Sequence, residues 1–227
     1  MNKSVTVMIV VEGATEQAFV EHVLAPYLSA KGIFVRATQI SKKGQKGGDV
    51  KFDRAKRDIL NFLKQRKDLY VATFIDYYGV KEWPGLAALR MMNNPSPTVI
   101  AARMNEGAVA EICKEIPNSQ IEKRYLPFTA VHEFETLLFS DSRVLASELG
   151  IDQCAVDTVV RECGSPEAIN NHPETAPSKR LEKWTNDHYR KTVQGVVIAT
   201  KIGIGKMRAS CLNFNAWLLR LEGLNHG

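Results

Sequence analysis

The sequence predicts an α/β fold: a Rossmannoid core with a mostly parallel sheet flanked by helices, followed by a helical C-terminal extension. Three observations predict it. The apolar runs Val5 to Val11 and Tyr70 to Ile75 are continuous rather than alternating, as strands buried on both faces must be. Both runs stop on an acid, Glu12 and Asp76, at the carboxyl ends of strands where parallel sheets bind ligands. Apolar residues return at helical spacing between them, so strand and helix alternate as in a parallel sheet.

Each element follows in order. After the first strand, Thr15 is a plausible N-cap and Glu16 suits the positive end of a helix. Phe19, Val23, Leu24, Tyr27 and Leu28 carry that helix to Gly32, with Pro26 placed to bend it. An extended run from Ile33 to Ile40 leads into a basic, glycine-containing loop, Ser41 to Asp49. A second helix shows Phe52, Ala55, Ile59, Phe62 and Leu63 on one face and hands over to the strand ending at Asp76. Trp83-Pro84-Gly85 and Asn93-Asn94-Pro95-Ser96-Pro97 read as irregular, a helix is expected from about Glu106 to Ile116, and a strand from Arg124 to Val131.

That strand runs into His132-Glu133-Phe134-Glu135-Thr136-Leu137-Leu138-Phe139. If the chain stays extended, Glu133 and Glu135 share one face; if a helix begins, Phe134, Leu137 and Leu138 turn to the core. Either way the acids lie near a third strand end. From Ser142 onward the text is mostly helical and polar, broken at His172-Pro173-Glu174-Thr175-Ala176-Pro177. Phe214, Trp217, Leu218 and Leu221 give the last helix a docking face. The expected division is an α/β core at 1–140 and a helical extension packed on it at 141–227.

Composition narrows the function classes. With 227 residues and 44% hydrophobic content the chain is ordinary globular material. No run approaches the roughly twenty apolar residues needed to span a bilayer, and the opening apolar run reaches Glu12 without a small-residue cleavage site. A cytoplasmic protein with no membrane partner is expected. Cys113, Cys154, Cys163 and Cys211 form no Cys-x-x-Cys pair, which argues against a zinc knuckle or a disulfide framework. A net charge of +5 is consistent with a polyanionic partner and equally with none.

Acids at several strand ends suggest one shared site. Hard cations such as Mg2+ or Mn2+ take oxygen ligands and are usually held by one or two carboxylates plus substrate phosphates. Glu12, Asp76, Glu133 and Glu135 are the candidate metal ligands. Glu12 and Glu16 are the candidate catalytic carboxylates, because one not committed to metal can move a proton. The alternative for each acid alone is a helix cap or turn opener.

These residues also carry a resemblance. Val11-Glu12-Gly13-Ala14-Thr15-Glu16 resembles the first motif of Toprim domains, the fold of topoisomerases, bacterial primases and overcoming-lysogenisation-defect nucleases, and Asp76 follows at the corresponding place. Glu12-Gly13-x-Thr15-Glu16, Asp76-Tyr77-Tyr78-Gly79, His132-Glu133-Phe134-Glu135, Ser178-Lys179-Arg180-Leu181 and Cys211-x-x-Phe214 with Trp217 together are similar to a bacterial Toprim-like domain-of-unknown-function family, 4276. The resemblance implies a Toprim-like four-stranded core in which Glu12 acts in acid/base chemistry or binds metal and Asp76 binds metal. It further implies a divalent-metal-dependent nuclease working in phage defence beside a separate ATPase. Toprim enzymes typically carry Asp-x-Asp at the second motif, whereas Tyr78 stands at the second place here, so the site is completed from Glu133 or Glu135, or catalysis is lost. The chain has no Gly-x-x-x-x-Gly-Lys-Ser/Thr phosphate loop of its own.

Candidate nucleic-acid contacts are Lys42, Lys43 and Lys46 in the basic loop, Lys179 and Arg180 where a helix opens after Pro177, and Lys206 near Gly203 and Gly205. Solvated loop, helix cap and simple turn are the respective alternatives. His132 reads as a ligand, a proton carrier or a structural hydrogen-bonder, and Tyr77 and Tyr78 as base-stacking or packing residues. Two functions from different classes fit: a Mg2+- or Mn2+-dependent nuclease on DNA or RNA, and a catalytically inactive nucleic-acid-binding or regulatory subunit.

Overall fold

Four parallel strands form one sheet in the order β2-β1-β3-β4, in a computed structural model that describes residues 4–41, 51–117, 120–170 and 172–226. The strands are β1 (Val5–Val11), β2 (Ile33–Gln39), β3 (Leu69–Asp76) and β4 (Tyr125–Ala130). The predicted α/β class and its parallel sheet are the observed architecture. β1 is central, pairing Val11 with Gln39 on one side and with Phe74 on the other. Asp76 ends β3 opposite Ala130 of β4.

The first connection is helical: α1 (Ala14–Phe19), a π turn at Val20–Leu24 and α2 (Ala25–Ser29). Gly13 rather than Thr15 is its N-cap, and the Gly13 N–H donates to Glu16 Oε2 at 3.0 Å. Pro26 does not break the helix. Its missing donor would have bonded one turn back, and that stretch is where the helix widens into the π turn. Val7, Ile9 and Val11 meet Phe19, Leu24 and Leu28 on this face of the sheet.

The other face is covered by α3 (Phe52–Gln65), α4 (Leu86–Arg90) and α5 (Pro97–Glu115). Val10, Val71 and Ile75 pack there against Ala55, Ile59, Met104 and Ala108. α5 begins earlier than the expected helix near Glu106, because Ser96 caps it and Pro97 fits the first turn, where its missing N–H costs nothing. The approach of α4 requires glycine at 85, which sits at φ +88, and a Cβ there would run into the Arg103 carbonyl. A short helix, α6 (Ile121–Arg124), precedes β4.

After β4 the second alternative holds, and a 3-10 helix at Phe134–Ser140 buries Phe134, Leu137 and Leu138. The remaining helices are α7 (Ser142–Leu149), α8 (Gln153–Cys163), α9 (Pro177–Trp184), α10 (Val196–Ser210) and α11 (Leu212–Glu222), with a π turn at Lys191–Gly195 leading into α10. The turn expected around Gly203 and Gly205 is a kink inside α10, centred on Gly203 at φ 75 and ψ 156. α10 and α11 complete the core on the α1 side: Ile198, Ile202, Phe214 and Trp217 share it with Phe74 and Phe128. Trp217 stacks on Phe128 at 4.8 Å and donates from Nε1 to the Leu126 carbonyl at 3.0 Å. Glu167 accepts from the Asn213 and Phe214 N–H groups, closing the start of α11.

No helix among the described residues is long and apolar enough to cross a membrane.

Trp217→Ala removes both the stack and the hydrogen bond from a buried site. The expected loss is about 3–5 kcal/mol, read as a lower urea midpoint with an unchanged slope, whereas Trp217→Phe keeps the stack and loses less.

Candidate active site

The strand order decides where a ligand is bound. β1 is followed by helices on one face and β3 by helices on the other, so the chain reverses its winding between them and opens a crevice at their carboxyl ends. Glu12 directly follows β1, and Asp76 ends β3. Tyr77 N–H donates to the Ala130 carbonyl at 2.9 Å and Tyr78 N–H to that of His132 at 2.7 Å, tying the end of β4 to the end of β3. Glu133 and Glu135 are thereby delivered beside Asp76. Glu16 joins them from the first turn of α1, and Glu16, Asp76, Glu133 and Glu135 are all buried.

Their counter-charge is Lys191, the first residue of the π turn before α10. Its Nζ lies 3.1 Å from Glu135 Oε2, 3.2 Å from Asp76 Oδ2 and 3.6 Å from Glu16 Oε1. Asp76 accepts a hydrogen bond from it; the other two contacts are ionic, without hydrogen-bond geometry. Tyr189 donates to Glu135 Oε1 at 3.4 Å. Gly195, at the end of the π turn, lets the segment close, since a Cβ there would lie 2.8 Å from Tyr189 Oη and 3.2 Å from Phe134 Cε1.

Glu133 is turned elsewhere. Its Oε2 accepts from the Ser178 N–H at 2.8 Å and its Oε1 from Ser178 Oγ at 2.9 Å. The carboxylate thus occupies the N-terminus of α9, the place proposed from sequence for a phosphate beside Lys179 and Arg180. Lys179 pairs with Glu182 at 2.6 Å and Arg180 donates to the Thr175 carbonyl at 2.8 Å. Lys206 lies fifteen residues beyond Lys191, past the kink at Gly203, and its Nζ is 4.0 Å from Asp141 Oδ2. Lys42, Lys43 and Lys46 lie outside the described residues.

Burial sets the protonation of the cluster. It is the main cause that raises Glu12 to about 8, with the charges of Asp76 and Glu16 adding to it and Lys191 opposing. Glu16 is raised to about 6 by burial and by Asp76. Burial likewise takes Glu135 to about 8, against the pull of Lys191. For Lys191 burial works against the charge, but Asp76, Glu135, Glu16 and Glu133 together outweigh it and its pKa is raised. Burial alone lowers His132 to about 4, so the imidazole is neutral near pH 7, with Nδ1 unpartnered and its ring tilted against Tyr77 at 5.9 Å. A proton carrier at neutral pH is therefore not what its surroundings make.

A family described as a domain of unknown function (DUF4276) matches residues 11–222. The chain belongs to the DUF4276 family. No curated protein and no solved structure matches it. The DUF4276 match takes in Glu12, Asp76, Glu133, Glu135, Tyr189 and Lys191.

Whether a divalent cation suits these residues can be asked of the free oxygens. Glu12 Oε2 and Asp76 Oδ1 are buried and have no hydrogen-bond partner, and the Glu12 carboxyl group interacts with the Asp76 main-chain N–H and is raised by the Asp76 charge. Hard oxygen donors without partners are what Mg2+ or Mn2+ requires. Among the described residues no three His, Cys, Asp or Glu side chains stand as a ready cage. Two carboxylates, with water and a phosphate filling the remaining positions, is a pattern Mg2+ commonly accepts. A separate cavity of 850 Å³, lined by Thr6, Met8, Phe34 and Arg36 among others, contains none of these acids. Topology and charge locate the site; volume does not.

Lys191 and Tyr189 escape a reading of the sequence because no motif or spacing links them to strand ends more than a hundred residues away. The signal that could have found them is charge balance: several buried acids at one crevice need a cation.

The raised carboxylates give the stability a definite pH dependence. An acid whose folded pKa lies near 8 instead of 4.5 keeps its proton in the folded state while the unfolded chain releases it. Stability of the metal-free protein therefore falls as pH rises from about 5 to about 8. Glu12→Gln removes one such titration, so its melting temperature at pH 8 exceeds that of the wild type by about 2–4 °C for each kcal/mol recovered, with little difference at pH 5. Differential scanning calorimetry across that range checks it.

Proposed function

We propose that the protein is a divalent-metal-dependent phosphodiesterase acting on DNA or RNA, with a Toprim-like core. The observation that carries this is the pair of buried carboxylate oxygens without hydrogen-bond partners, Glu12 Oε2 and Asp76 Oδ1, at the sheet's switch point. Glu12 and Asp76 would hold Mg2+ or Mn2+. When bound, the ion polarises a phosphoryl oxygen and acidifies a bound water.

The chain's own groups have distinct tasks in this reading. Glu16 keeps one oxygen on the Gly13 N–H and places the other, Oε1, at the crevice 3.6 Å from Lys191 Nζ, with a pKa raised to about 6 that suits taking a proton from the attacking water. Water oxygen bonds to phosphorus, the bond to the leaving nucleoside oxygen breaks, and that oxygen takes up a proton. Lys191, 36% exposed and reaching in from the surface, presents positive charge to a phosphate approaching a cluster that would otherwise repel it. Glu135 and Tyr189 hold Lys191 in place, and Glu133 holds α9. A cytoplasmic location, expected from the sequence, and an ATPase partner, as the resemblance suggests, belong to the same proposal.

One observation favours a second reading. Lys191 already neutralises part of the cluster, and Tyr78 stands where a further aspartate would be, as expected if the protein binds nucleic acid without cleaving it.

Cleavage of single- and double-stranded DNA and RNA in the presence of Mg2+ or Mn2+ distinguishes the two. The nuclease reading expects metal-dependent cleavage, reduced roughly 100-fold or more by Glu12→Ala and by Asp76→Ala. Cleavage that persists in both variants contradicts it; salt-sensitive, chelator-insensitive binding without turnover establishes the second reading.

A further inference from the structure

We propose that this is a one-ion site in which the Lys191 ammonium occupies the place of a second metal ion. The inference rests on the divalent-cation reading of the crevice and specifies how the positive charge is divided there.

Asp76 is the hinge of the argument, because its two oxygens face different neighbours. Oδ2 is bonded to Lys191 at 3.2 Å, while Oδ1 is buried and unpartnered. Around Nζ, Glu16 Oε1 and Glu135 Oε2 stand at 3.6 and 3.1 Å, so this side of the cluster already encloses a cation. Glu12 Oε2 is unpartnered as well, and the Glu12 carboxyl group interacts with the Asp76 main-chain N–H. Asp76 therefore bridges two cation positions, one filled by Lys191 and one formed with Glu12. A carboxylate shared between two positive centres is how two-metal phosphodiesterase sites are built, with ions roughly 3.5–4 Å apart.

The lysine side is built for an ammonium. With Lys191 in place, three carboxylate oxygens stand 3.1–3.6 Å from Nζ, the range of an ion pair. The carboxylates are also fixed: Glu135 is fully buried with Oε1 on Tyr189, and Glu16 has Oε2 on the Gly13 N–H. Lys191 is fixed from outside by its π turn, where Thr192 Oγ1 lies 3.4 Å from Thr15 Oγ1 of α1. The result is one permanent charge supplied by the chain and one position for an exchangeable ion.

Counting ions tests this without reference to turnover. Mn2+ bound per chain is measured by titration calorimetry and by electron paramagnetic resonance on the wild type, Lys191→Met and Lys191→Arg, each first checked for native circular dichroism. One Mn2+ in the wild type and in Lys191→Arg, rising to two in Lys191→Met, is expected. Two ions in the wild type overturn the proposal whatever the variants do. One ion in both wild type and Lys191→Met also overturns it, while leaving the metal-dependent reading intact. No Mn2+ in any of the three removes that reading as well.

Discussion

The ion cluster formed by Lys191 with Glu16, Asp76 and Glu135 is the interaction on which the rest of the structure turns. Burial first, and the charges of neighbouring acids second, disfavour ionisation of Glu12 and Glu135 and raise both. A cation in their midst makes charge tolerable there. Lys191 comes from the segment between α9 and α10, so a residue late in the chain is required by acids placed by β1 and β3. Its presence offsets part of the negative charge gathered at the crevice.

That requirement explains why the C-terminal helices are part of the same body as the sheet. α10 and α11 cover the face opened by α1, with Trp217 on Phe128 and Phe214 against Phe19, and this packing carries the π turn to the crevice. Glu167 at the start of α11 and Glu133 at the start of α9 use carboxylates to fasten helix N-termini, where the exposed N–H groups and the dipole favour negative charge. Glu133 and Glu135, two residues apart in sequence and both buried, are thereby separated in role: one anchors a helix, the other pairs with a lysine.

Much of the sheet was legible in the sequence because burial on both faces leaves a continuous apolar run, and the acids ending those runs were visible for the same reason. Glu12, Asp76, Glu133 and Glu135 could be grouped as candidates because each lies at or just beyond the end of an apolar run. Pairings set by tertiary packing were not legible. Nothing around Ser178 announces that Glu133 takes its N–H and hydroxyl, and a helix opening after Pro177 reads equally as an anion site. Gly203 and Gly205 suggested a turn, yet the packing of Ile198, Ile202 and Ile204 holds a helix on both sides of a kink. Lys191 was invisible because charge complementarity across the chain leaves no periodicity behind.

Where positive charge resides in the crevice is decided by a crystal structure from Mn2+-soaked crystals, with anomalous data collected near the manganese edge. A single anomalous peak between Glu12 and Asp76, with Lys191 Nζ still on Asp76 Oδ2, is the predicted result. A peak at the position of Nζ with the lysine turned out to solvent would contradict it.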